Sequence, residues 1–246
     1  MIEKIEGIVI DKIRHNDTHN VVTLYTLTRG RMAFLSPVGK SKSGRTRNAT
    51  LSLMSVVGAS VNIRGDRELH TLRNPEPLRL WHGIYASPVK SSLIFFLAEF
   101  SNRLLRQYPA DEKLWSFING SLEHLDVMSE AEVANFHLAF LIGLLPLAGI
   151  SPAVSSWKPG DRFDMLSGEM VTDNHPMFLQ RRRLLSESQS SMVPKLLRMN
   201  FGNMRRFKFS RTGRQELLDH ILDYYACHLP LSREFKSLTV LREMFS

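Results

Sequence analysis

The sequence has a single cysteine, Cys227. An intramolecular disulfide is therefore excluded, and a reducing, cytoplasmic setting is expected. The neighbours Tyr224, Tyr225, Ala226 and His228 give Cys227 the setting of a helix face, where a lone thiol serves as a small apolar filler. Long hydrophobic runs are missing too. Leu93–Phe100 carries Glu99, and Phe136–Ile150 is interrupted by His137, Gly143 and Pro146. Neither approaches the roughly 18 to 20 apolar residues of a membrane span, so no membrane role is expected. Met1–Ile13 alternates charged and apolar residues and lacks the apolar stretch of a secretory signal.

The patterns that carry catalysis are absent as well. The chain has no HExxH, no Gly-x-Ser-x-Gly, no Cys-x-x-Cys and no Gly-x-Gly-x-x-Gly. Its nine histidines are scattered. Gly39-Lys40-Ser41 has the end of a phosphate-binding loop, but Phe34 stands where that motif requires its first glycine, and no helix start is evident after it. Asp161 and Asp164 could hold a cation or act as an acid–base pair. Beside Pro159-Gly160, turn formation is the simpler role for them. These absences argue against an enzyme.

Negative charge is missing over a long stretch. No acidic residue occurs from Thr18 to Gly65, while Arg29, Arg31, Lys40, Lys42, Arg45, Arg47 and Arg64 are basic. The segment Gly39–Arg47 reads as a flexible Gly/Ser loop carrying four of these cations. Such a loop suits a phosphate backbone, because each contact releases condensed counterions and needs no fixed register. A second basic field lies between His175 and Gln215. It contains Arg181, Arg182, Arg183, Lys195, Arg198, Arg205, Arg206, Lys208, Arg211 and Arg214 against Glu187 alone. Arg205-Arg206-Phe207-Lys208-Phe209 interleaves cations with aromatics, as single-strand surfaces do. The whole chain of 246 residues carries a formal net charge of +8, which favours an anionic partner.

The hydrophobic rhythm divides the chain. Up to about residue 78 it reads as short strands: Ile2 to Ile13, Asn20 to Leu27, Met32 to Val38, Leu51 to Val57, Ala59 to Ile63 and Glu68 to Leu72. Turns fall at Thr28-Arg29-Gly30-Arg31 and Gly65-Asp66. This pattern, with no clear helix in it, suggests a small closed barrel, on whose faces Tyr25 and Phe34 would be core or base-stacking residues. Pro75 and Pro77 are expected to end the last strand. From Pro88 onward the apolar period is helical, with Ser87 as N-cap. Helices are expected near 88–105, 111–126, 130–145, 186–198, 211–228 and 235–244. The stretch 150–180 is rich in proline and glycine and reads as an irregular insert. The domains expected are therefore 1–78, a barrel, and 79–246, a helical domain; the fold class is α+β.

The order of these features resembles a known family. It begins with Gly7-Ile8-Val9-Ile10 and Val22-Thr23-Leu24-Tyr25-Thr26-Leu27-Thr28-Arg29-Gly30-Arg31-Met32-Ala33-Phe34. The basic segment and Glu68-Leu69-His70-Thr71-Leu72 follow. The helical half contains the run Phe136 to Pro152, then Phe163-Asp164 and Gly168. It closes with Tyr224-Tyr225-Ala226-Cys227-His228-Leu229 and Lys236 to Leu241. Over essentially the whole chain this resembles the DNA repair and recombination protein RecO family. The resemblance implies an N-terminal OB-fold and a helical C-terminal domain. It implies binding of single- and double-stranded DNA and annealing of complementary strands. It also implies partnership with RecR in helping RecA load onto strands coated by single-stranded-DNA-binding protein, whose acidic, hydrophobic C-terminal tail members of the family bind. Carried over to matching positions, the DNA-contacting residues would be Arg29, Arg31, Lys40, Lys42, Arg45 and Arg47, with Arg181, Arg182, Arg205, Arg206 and Lys208 behind.

One departure stands out. Many members of the family hold zinc with four cysteines in the stretch matching 150–180, which here has no cysteine and only His175 as a good ligand. No zinc and no other cofactor are expected, and Trp157 and Phe163 are the candidates for packing the insert together. Two other readings would fit the charge: a nucleic-acid-processing enzyme, and a non-catalytic scaffold for acidic protein partners.

Overall fold

The computed structural model describes residues 2–39, 41–63, 69–106, 108–172 and 183–245. Its first element group is a closed barrel. The strands are β1 (Ile2–Arg14), β2 (His19–Thr26), β3 (Gly30–Pro37), β4 (Val56–Asn62) and β5 (Leu69–Arg79), in the order β1-β2-β3-β5-β4. All pairs are antiparallel except β3 with β5. A helix, α1 (Lys42–Thr50), intervenes between β3 and β4, which completes the OB-fold. The two-residue alternation of apolar side chains places Ile5, Val9, Val22, Leu24, Phe34, Val57, Val61 and Leu72 inside the barrel. Each such side chain contributes about 1.5–3 kcal/mol of burial free energy. At the β2–β3 turn Gly30 takes a left-handed conformation, φ +67°, and the Thr26 hydroxyl donates to its carbonyl at 2.8 Å. A side chain at Gly30 would be strained by that φ and would also meet the Ala110 backbone nitrogen at 2.9 Å.

Several expectations need correction. The basic segment expected to be a flexible loop is helical from Lys42 onward, because Ser41 supplies an N-cap: its Oγ accepts from the Gly44 N–H at 3.2 Å. A helix therefore does follow Gly39-Lys40-Ser41. Phe34, in the position of the missing glycine, is a fully buried barrel residue and cannot form part of a phosphate cradle. Leu51–Ser55 is turn rather than strand, with Met54 at φ 62°, and β4 runs unbroken through Gly58. Pro75 and Pro77 do not end β5, which continues to Arg79 with register shifts against β4. Asn74, at φ 47°, bends the strand where proline withdraws a ladder N–H. Tyr25 and Phe34 are both fully buried, so neither presents a ring to a base. The Gly65-Asp66 turn lies outside the described residues.

The chain forms two compact units, Met1–Glu130 with Phe235–Phe245, and Ala131–Glu234. The first adds α2 (His82–Tyr85), α3 (Pro88–Leu104), α4 (Glu112–Val127) and α9 (Ser237–Met244) to the barrel. Ser87 caps α3, accepting from the Lys90 N–H at 3.2 Å, with Pro88 at the first helical position. The α3 helix packs on both β1 and α9. Phe235 lies against Phe96 and Phe100, with ring centroids 5.9 Å from each, under the Arg103 guanidinium at 4.4 Å. The Glu99 carboxylate accepts from the Lys236 N–H (3.1 Å), the Ser237 N–H (2.9 Å) and the Ser237 hydroxyl (2.6 Å). It thereby caps α9, whose own N-cap, Lys236, offers no capping oxygen.

The second unit is built on α5 (Phe136–Leu147), which is apolar on all sides and almost entirely buried. With the 3₁₀ turn Glu130–Asn135 before it, it is the one helical stretch among the described residues long and apolar enough to cross a membrane; here it is the unit's core. The expected helix at 130–145 is thus offset, and Pro146 is accommodated in its last turn. The α8 helix (Arg211–His228) packs on α5, and the Tyr225 hydroxyl donates to the Leu141 carbonyl at 2.7 Å. The helix expected at 186–198 is two short ones, α6 (Glu187–Ser190) and α7 (Val193–Leu196), with Pro194 in the first turn of the second. Within the insert, β6 (Arg162–Asp164) and β7 (Glu169–Val171) form a hairpin. Asp161 and Asp164 both work as turn formers: they accept from the N–H groups of Lys158 at 2.8 Å and Leu166 at 3.1 Å. Phe163 is buried and packs on Tyr224, while Trp157 is only half-buried.

Candidate nucleic-acid interface

The barrel's candidate cations fall into two kinds. Lys42 and Arg45 are exposed and three residues apart on α1, so they share a face; Arg47 is half-buried on another. The helix contains no acidic residue, and among the described residues none of the three side chains is in an ion pair. Its seat on the barrel is set by a backbone contact. A Cβ on Gly44 would lie 2.4 Å from the Gly39 Cα, so neither position accepts a side chain without displacing the helix start. Lys12 on β1 donates to the Asn48 carbonyl at 3.1 Å, and burial pushes its ammonium below the usual lysine range.

Arg29 and Arg31 have partners within the protein. Arg29 forks onto the Glu3 carboxylate at 2.7–3.0 Å. That hydrogen-bonded pairing lowers the Glu3 carboxyl and raises the guanidinium. Arg31 donates to Asn102 Oδ1 at 3.1 Å, and Asn102 donates on to Asp11 at 3.1 Å, joining β3, α3 and β1. Burial, then the proximity of Arg106, lowers the Arg31 guanidinium.

In the second unit, Arg205 is ion-paired with Glu132. Arg206 and Lys208 are exposed, and neither is in an ion pair among the described residues. Arg211, at the start of α8, is likewise exposed and without an ion pair, which makes three such cations within six residues. The segment is held by Asn135, whose amide donates to the carbonyls of Met204 at 3.0 Å and Phe207 at 2.8 Å. Arg214 in turn donates to Asn135 Oδ1 at 3.0 Å and is lowered by burial, so it is part of the scaffold. Phe207 and Phe209 lie 6.0 Å apart and are half-buried. Arg183 is paired with Asp223, which also takes Arg233. Lys40, Arg181 and Arg182 lie outside the described residues, as does His175.

This unit also contains an apolar cavity of about 70 Å³, lined by residues that include Ile142, Leu145, Phe163, Leu196, Leu217 and Tyr224. A polar pair, the Gln189 amide donating to His220 at 2.9 Å, stands in its wall. No short motif marks it along the chain, because its lining comes from five separate segments. Among the described residues, no group of three His, Cys, Asp or Glu could hold a metal ion. The hairpin is fastened by its aspartates, by Phe163 against Tyr224 (5.7 Å), and by the His228 ring 2.9 Å from the Met165 carbonyl.

Comparison with known proteins gives a consistent answer. Residues 1–81 match the family model "Recombination protein O N terminal", and residues 86–239 match "Recombination protein O C terminal". The chain is 31% identical to the DNA repair protein RecO of Bacteroides fragilis over 248 residues, covering all of both chains. It is 32% identical to that of Phocaeicola vulgatus over 248 residues and 30% identical to that of Porphyromonas gingivalis over 254 residues, again over the full length of both. An OB-fold followed by helices, matched from end to end, leaves one assignment: the chain belongs to the RecO family of DNA repair proteins.

Proposed function

We propose that the protein is a non-catalytic recombination mediator that binds single- and double-stranded DNA, anneals complementary strands and, with RecR, helps RecA load onto DNA coated by single-stranded-DNA-binding protein in the cytoplasm. The observation that carries this reading is the pair of cation groups without ion pairs among the described residues: exposed Lys42 and Arg45 with half-buried Arg47 on α1, and exposed Arg206, Lys208 and Arg211 just before and at the start of α8. Each neutralises phosphates without reading bases, so binding follows charge and not sequence. Annealing then requires no proton transfer or nucleophile. Holding two strands on cationic surfaces reduces their repulsion and raises their local concentration.

The test is a titration of oligonucleotide binding against salt, with annealing of complementary strands followed alongside. A steep linear fall of log K with log salt is expected, and a flat response would overturn the reading. Magnesium-dependent cleavage would favour a nuclease instead. Binding only to acidic proteins would favour a scaffold.

The acidic, hydrophobic tail of the single-stranded-DNA-binding protein finds its chemistry in the second unit. The apolar residues that line the cavity would meet its hydrophobic end, with room for part of one side chain as the cavity stands, while Lys195 and Arg198, exposed on and just after α7, would face its acids. Leu217→Arg should abolish binding of a tail peptide, read by fluorescence anisotropy, and leave DNA binding unchanged.

A further inference from the structure

We propose that α1 is a conditional helix, whose order is completed by the nucleic-acid phosphates it holds; this rests on the DNA-binding reading above and adds a coupling between folding and binding. The helix is nine residues long, below the roughly 12 to 15 residues that hold a helix together in isolation. Its sequence, Lys42-Ser43-Gly44-Arg45-Thr46-Arg47-Asn48-Ala49-Thr50, alternates good helix formers (Lys42, Arg45, Arg47 and Ala49) with weaker ones (Ser43, Gly44, Thr46, Asn48 and Thr50). Packing compensates little: only Gly44 and Thr50 are buried, and no apolar face is turned to the barrel. Charge opposes the helix as well. The first turn has no acidic residue, and Lys42 and Arg45 stand at the N-terminal end, where the macrodipole is already positive. Only Arg47, in the last turn, is favourably placed.

What favours the helix is local and small: the Ser41 cap, the Gly39–Gly44 contact and the Lys12 bond to the Asn48 carbonyl. A phosphate beside Lys42 and Arg45 reverses the sign of the electrostatic term, turning the repulsion at the N-terminus into attraction. Part of the intrinsic affinity is then consumed in ordering residues 42–50, and the observed dissociation constant rises by the reciprocal of the ordered fraction.

This predicts effects of substitutions that leave the charge unchanged. Thr46→Ala and Asn48→Ala raise helix propensity at an exposed and a half-buried position. Together they should tighten binding of a short oligo-dT strand about threefold to tenfold, with the salt slope unaltered. Ser41→Ala, which removes the cap, should weaken it about threefold to tenfold, again at constant slope.

Amide hydrogen exchange in the full chain supplies the direct reading. The amides of 46–50 should exchange fast in the free protein and become protected when oligo-dT is added. Protection already present without DNA overturns the proposal, as does an affinity indifferent to both the double variant and Ser41→Ala. Oligo-dT that binds while these amides stay unprotected overturns this inference and leaves the DNA-binding reading intact. Oligo-dT that does not bind at all overturns both.

Discussion

A charge that is present in the sequence is not a charge available to a ligand. Arg29 and Arg45 look alike along the chain, yet Arg29 lies in a forked pair with Glu3 while Arg45 has no ion pair among the described residues. Moving Arg29 onto a phosphate would strand the Glu3 carboxylate. Replacing Arg45 with alanine should therefore weaken single-strand binding clearly more than replacing Arg29, and equal losses in a filter-binding titration would contradict this ranking. Glu99 shows the opposite case, an acid whose role is structural. Burial raises its carboxyl, but the hydrogen bonds from Ser237 and Lys236 and the nearby Arg103 outweigh it, and the net shift is downward. A lowered folded value means that its contribution is complete above the unfolded carboxyl range, about 4.3. That contribution is lost as pH falls through the lower folded value. Glu99→Ala should cost about 1–2 kcal/mol at neutral pH, by leaving the α9 N–H groups uncapped. The gap between variant and parent in thermal unfolding should begin to narrow as pH falls below the unfolded carboxyl range and shrink further through the lower folded value; a gap that stays constant through acid pH would show that the carboxylate charge is not involved.

At the scale of elements, the barrel and the long helices were legible because their signals are periodic and cumulative. Five strands, the capped start of α3 and the exact span of α8 follow from alternation, from Ser87-Pro88 and from the i, i+3, i+4 rhythm. What escaped were features set by single contacts. The α1 helix has almost no apolar period, so nothing in its pattern distinguishes it from a loop; a serine cap and two touching glycines make it. The continuation of β5 past Pro75 and Pro77 depends on which face of the strand withdraws its N–H groups, and composition does not reveal that. The commitment of Arg31 and Arg214 to scaffold hydrogen bonds is a tertiary fact, since their partners, Asn102 and Asn135, lie 71 and 79 residues away. The glycine pair carries a prediction of its own. Gly44→Ala adds a Cβ at 2.4 Å from the Gly39 Cα, and backbone cannot yield as a flexible side chain does. The helix start should be displaced and oligo-dT affinity should fall, although alanine is the better helix former and the charge is unchanged. Tighter binding by this variant would remove the glycine contact from the account.

At the scale of the whole molecule, each compact unit carries its own exposed cations, and under the proposed function this predicts that binding and annealing respond differently to their loss. If the first unit holds a strand through Lys42, Arg45 and Arg47, replacing all three with alanine should make the single-strand salt slope shallower by about 2, from roughly 0.7 per phosphate contact. Replacing Arg206, Lys208 and Arg211 should remove contacts from the second unit in the same way and leave the first unit's share intact. Binding to one strand then survives either triple variant at low salt, because one cation group remains in each. Annealing requires two strands held at once, so it should fall steeply in both variants, far more than binding does. The comparison distinguishes this arrangement from a single continuous track. On one track, binding and annealing would decline together in proportion to the charge removed, whichever group was lost. A triple variant that keeps full annealing while losing binding would show that its unit does not hold a strand during the pairing step.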